Sequence, residues 1–143
     1  QRRSALEWSM RKALLALPIL LLASTAAQAQ ASISCMYMLL RVYHAELDYC
    51  KVALPKARED RYSRMKSGME TFIHANAKVN ADKLIAGIDD NIKRALAGLK
   101  SCNSDDFKLA GQAMDQLTEP DNEKNVLESL KYARDPQAGS CGT

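Results

Sequence analysis

The fold class the sequence predicts is all-α, a disulfide-stapled antiparallel helical bundle of four to five helices. Apolar residues recur at steps of three and four through most of the chain, and no segment alternates with period 2 over a useful length. The breaks between the periodic segments are short, which places successive helices side by side and antiparallel.

The first segment is read as a leader, not as part of the bundle. Met10, Arg11 and Lys12 precede the apolar run ALLALPILLL at 13–22, and Ala27-Gln28-Ala29 follows with small residues at the spacing a signal peptidase reads. The run falls short of the roughly 20 apolar residues a permanent span needs. Cleavage is predicted after Ala29, with Ala31 as second choice. Residues 1–9, QRRSALEWS, lie before the first methionine that suits initiation and read as an upstream translation artefact. Arg2-Arg3 makes a poor twin-arginine signal, because Glu7 and Trp8 intervene before the apolar run. The predicted division is therefore 1–9, a signal peptide over 10–29, and one helical domain over 30–143.

Each helix has its own start and stop signals. The spacing of Met36, Leu40, Tyr43, Leu47, Cys50 and Leu54 predicts a first helix that buries one stripe and stops at Pro55. A second is predicted from about Asp60 to Ala77, with Tyr62, Met65, Met69 and Phe72 inward and Ile73 beside them. Gly68 weakens this helix by about 1 kcal/mol relative to alanine, unless a neighbouring helix packs closely there. A third opens at Asn80 or Ala81 and carries Ile85, Ile88, Ile92, Ala95, Leu99 and Cys102. Ser104 caps a fourth, with Asp105 and Asp106 in its first turn and Phe107, Ala110, Met114 and Leu117 inward. Pro120 starts a fifth, bearing Val126, Leu127, Leu130 and Ala133 and ending before Pro136. The tail PQAGSCGT is irregular.

Four cysteines in an exported chain predict disulfides. Were residues 35–50 one helix, the Cα atoms of Cys35 and Cys50 would lie about 22 Å apart, against the roughly 7 Å a disulfide tolerates. Two pairings survive that exclusion. If the first and third helices run the same way, Cys50 meets Cys102, and the tail after Arg134 can span about 23 Å to bring Cys141 to Cys35. Cys35 with Cys102 and Cys50 with Cys141 requires the third helix to run the opposite way.

The remaining chemistry is sparse. The chain has 20 basic and 17 acidic residues, but Arg2, Arg3, Arg11, Lys12 and Glu7 leave with the leader, and the mature part is formally neutral. Nucleic acid is excluded as the partner, since phosphate binding needs a clustered basic excess. There is no GxSxG, HExxH or glycine-rich phosphate loop, and no closely spaced cysteine pair for covalent haem or structural zinc. Lipidation of Cys35 does not fit the polar QAQAS and the Ser32-Ile33-Ser34 before it.

His44 and Asp48, four apart with Glu46 nearby, offer a weak metal pair, for which an exposed histidine beside an acid is the plainer reading. His74 reads as a surface residue. The doublets Glu59-Asp60, Asp89-Asp90 and Asp105-Asp106 diverge by about 100° on a helix and do not aim two acids at one bond. Met36, Met65, Met69 and Met114 fall on the stripes and read as core. Arg58, Arg61 and Arg64 recur every three residues in a basic stretch and are the candidate partner-binding stripe.

The expectation is a periplasmic or secreted helical protein, not an enzyme, that binds an unknown protein partner non-catalytically, as an inhibitor, immunity or accessory factor would. No metal, cofactor or permanent membrane span is expected. The alternative is a bundle that carries a small ligand, metal or non-covalent haem between its helices.

Overall fold

The computed structural model describes residues 31–139 and Cys141; the leader assigned to 10–29 and the segment 1–9 lie outside the described residues. Ser32 starts the first helix, its hydroxyl accepting the Cys35 N–H at 3.1 Å. Helix α1 runs Ile33–Tyr49, α2 Lys56–Asn76, α3 Ala81–Gly98, α4 Asp105–Leu117 and α5 Pro120–Ser129. No β-strand is present among the described residues. No helix among them is long and apolar enough to cross a membrane.

Four boundaries differ from the sequence reading, the first being the end of α3, which stops at Gly98 with Leu99 as its C-cap and leaves Cys102 exposed in the link that follows instead of on the buried stripe. Helix α1 stops at Tyr49, several residues before Pro55, because Lys51 turns left-handed at φ 59°. Lys51 N–H then bonds Asp48 O at 3.1 Å and Val52 N–H bonds Leu47 O at 2.9 Å, closing the helix as glycine usually does. Pro55 begins the next helix rather than merely ending the last, so α2 starts about a turn earlier than predicted. Helix α5 ends at Ser129, since Arg134 Nη1 takes the Ser129 and Tyr132 carbonyls at 2.7 and 3.3 Å and the chain continues as an irregular tail. The N-caps Asn80 and Ser104 stand as expected, accepting from Lys83 N–H and Phe107 N–H.

Helix α1 is the axle of the molecule. It packs against α2, α3 and α4, while α5 packs on α2 and α4. Its buried residues, Ile33, Cys35, Tyr37, Leu40, Glu46 and Leu47, accordingly lie on more than the single stripe that periodicity suggested. Residues 44 and 59 meet beside the link that joins α1 to α2, so these two run antiparallel, while α1 meets α3 at 41 and 89 and the Cys50–Cys102 bond ties the C-terminal ends of both, as a parallel pair requires. Arg58 with Glu119 and Arg64 with Glu123 lay α5 along α2 in the same direction. The centre is filled by Tyr37, Leu40, Met65, Met69, Ile73 and Met114, each at most 2% exposed. Two disulfides tie the ends of α1: Cys35 to Cys141, Cα atoms 5.3 Å apart, and Cys50 to Cys102, 5.6 Å apart.

Candidate functional site at the end of α1

The last two turns of α1 project three kinds of side chain. His44 faces α2, Asp48 lies one turn on, and Tyr49 points to solvent at 60% exposure. The His44 ring stacks flat on Tyr62 of α2, centroids 3.7 Å apart and planes within 4°. Its Nε2 lies 3.0 Å from both Glu59 carboxylate oxygens, and its Nδ1 lies 3.3 Å from Asp48. A neutral imidazole donates to one of these carboxylates and an imidazolium to both. Burial pushes the Tyr62 phenol up to about 12; Arg41 pulls it down, while Glu59, Tyr37 and Asp48 reinforce the rise. The groups in contact with His44 are thus two carboxylate acceptors and the face of the Tyr62 ring. This arrangement fastens α1 to α2 and orients Asp48.

Beyond Asp48 the surface opens. A solvent-facing cleft of about 490 Å³ is lined by Asp48, Lys51, Val52 and Ala53. Val52 is 45% exposed, and with Tyr49 it puts two apolar side chains beside one acid and one base. The floor is fixed, because the intervening Cys50 is bonded to Cys102. Lys51 holds a backbone conformation that a non-glycine residue pays about 1 kcal/mol or more to adopt, the kind of strain that collects at binding sites.

Comparison with known protein families, curated proteins and solved structures finds no match to this chain.

The other residues singled out by sequence lie elsewhere. Arg58, Arg61 and Arg64 do not present a bare basic stripe. Arg58 Nη1 donates to the Asp115 carbonyl and, at 3.1 Å, to Thr118 Oγ1, while its Nη2 reaches Glu119 at 3.0 Å. Arg61 Nε donates to Thr118 O, and Arg64 pairs with Glu123. The three arginines form a joint between α2 and the α4–α5 link, and three carboxylates of that region match their charge. The structure also brings the four cysteines into the two pairs described above.

His74 is half-exposed, 3.9 Å from Asp82 at the start of α3. Among the described residues no three histidines, cysteines or acids converge as metal ligands do. The exposed histidine expected at 44 is largely covered, its side chain 14% exposed, so His44 does not lie outside the buried stripes of α1. It lies on a second stripe, Ile33, Tyr37, Leu40, His44 and Leu47, whose steps of 4, 3, 4 and 3 were equally present in the sequence.

Proposed function

We propose that the protein is a small exported helical protein that binds a macromolecular partner without chemistry, through the end of the bundle where α1 stops. The observation that carries this reading is the pairing of exposed Tyr49 and Val52 with the cleft of Asp48 and Lys51 on a disulfide-fixed floor. A partly exposed tyrosine supplies large contact area at low entropic cost, and flanking charges set register. Two disulfides fit an oxidising compartment, and the leader at 10–29 supports the periplasm or the exterior as the place of action. An inhibitor, immunity or accessory role suits a rigid surface of this size.

The arginine stripe gives less support, since its charges already have partners within the molecule. The carrier reading loses ground for a similar reason, because Tyr37, Met65, Met69 and Met114 occupy the space a ligand between the helices would need. The test is photo-crosslinking in the producing cell, with a benzophenone amino acid at Val52 and, as control, at Lys124 on the exposed side of α5. A discrete adduct from position 52, lost on Tyr49→Asp and not formed from position 124, is the expected result. The same adducts from both positions, or none from position 52, contradict the proposal.

A further inference from the structure

We propose that the end of α1 selects an acidic protein partner, one whose surface sets an apolar centre against Tyr49 and Val52 and carboxylates at its rim against Lys51 and Lys100. This rests on the binding surface proposed above and names the chemistry that surface recognises. Tyr49 and Val52 are exposed, and so are both lysines, neither of which has an acid within ion-pair distance among the described residues. The Cys50–Cys102 bond brings the two lysines to one face. Its Cα atoms are 5.6 Å apart, and Lys51 lies one residue from Cys50 and Lys100 two from Cys102. At about 3.8 Å per residue the lysine Cα atoms are at most about 17 Å apart. Both therefore fall within the roughly 800 Å² that a standard interface takes from each partner.

The acids of this end are already engaged. Asp48 lies 3.3 Å from His44 Nδ1, Asp60 accepts from Lys56 at 3.0 Å, and Asp105 lies 3.5 Å from Lys108. Asp106 stands in the first turn of α4, where the helix dipole offsets its charge. An incoming surface thus meets free positive charge beside an apolar centre. Charges at an interface rim steer the encounter and reject partners of the same sign. A second copy of this chain docked face to face would bring unpaired lysines to both sides, and such like-charge contact is costly.

Unpaired charge by itself does not single out this end. Lys78 is also exposed and without an ion-pair partner among the described residues, in the link between α2 and α3 at the opposite end of the bundle, with exposed Val79 beside it. What the end of α1 adds is an exposed aromatic ring, the cleft beside it and two cations held on one face by a disulfide. Lys78 therefore serves as the control for net charge.

The test places a benzophenone amino acid at Val52 in the producing cell and compares three charge reversals, Lys51→Glu, Lys100→Glu and Lys78→Glu. Each changes net charge equally, and far-ultraviolet circular dichroism of the purified variants checks that the helices are kept. The adduct from position 52 is expected to fall at least about fivefold with Lys51→Glu and with Lys100→Glu and to hold its yield with Lys78→Glu. The crosslinked partner peptide, sequenced by mass spectrometry, should be rich in aspartate and glutamate. Lys100 lies in an exposed link, so Lys100→Glu decides the outcome if Lys51→Glu disturbs the left-handed turn at 51. An adduct insensitive to Lys100→Glu, an equal loss with Lys78→Glu, or an adduct at twice the mass of the chain would overturn the acidic partner while leaving the binding surface in place. A crosslink to lipid, or no adduct from position 52, would overturn both.

Discussion

At the scale of single residues, α1 carries two ionisable groups in contrasting settings. His44 is satisfied from both sides by Glu59 and Asp48 and stacked on Tyr62. Glu46 is buried, with no ion-pair partner among the described residues. Burial raises the Glu46 carboxyl above the usual glutamate range, and Asp106 of α4 adds to the rise. Between its unfolded value and this raised folded value, the native state holds a proton that the unfolded chain has lost. Stability therefore falls as pH climbs through that window. Glu46→Gln should match the wild type at about pH 3 and be the more stable protein at about pH 7, read as the shift in urea midpoint at each pH. A difference that does not change with pH would contradict the assignment.

Among the elements, the pairing of α2 with α5 is built from two features of unequal legibility. Gly68 was visible in the sequence as a weak point that made sense only beneath a close neighbour. A Cβ there would lie 3.1 Å from both Leu127 Cδ2 and Leu130 Cδ1. Gly87 in α3 has open space at the same position. Gly87→Ala should thus gain about 1 kcal/mol of helix stability, and Gly68→Ala distinctly less, because its gain is offset by displacement of the two leucines. Chemical denaturation of the two variants side by side checks the difference.

The second feature, the arginine joint, was not legible. The three-residue spacing showed that Arg58, Arg61 and Arg64 share a face, but nothing in it said that the α4–α5 link would cover that face. Arg58→Ala strips Thr118 Oγ1 and Glu119 of their donor and is expected to cost about 1–2 kcal/mol. Lys56→Ala breaks a far more exposed pair with Asp60 and should stay within about 0.5 kcal/mol of the wild type. Equal losses in the two variants would show that the joint contributes no more than a surface ion pair.

For the molecule as a whole, the periodicity of apolar residues was enough to read an all-α protein, and the caps at Asn80 and Ser104 placed two helix starts correctly. What it could not supply was the central position of α1. Periodicity describes one face at a time, and a helix enclosed by α2, α3 and α4 has several buried faces, so Tyr37 and Glu46 were passed over. The early end of α1 was hidden too, since lysine is an uncommon residue at a left-handed C-terminal position. That early end creates the cleft beside Tyr49 and Val52, which is why the proposed binding surface had no signature in the sequence.

Two specific bonds fix α1 at both of its ends. Each is expected to add about 2–4 kcal/mol, largely by restricting the unfolded chain. The measurement that tests this most directly is disulfide mapping of the unreduced, exported protein by proteolysis and mass spectrometry. Linked peptides joining Cys35 to Cys141 and Cys50 to Cys102, with no free thiol, are the predicted result. A peptide joining Cys35 to Cys102, or Cys50 to Cys141, would place α3 in the opposite direction and contradict the architecture on which the site is built.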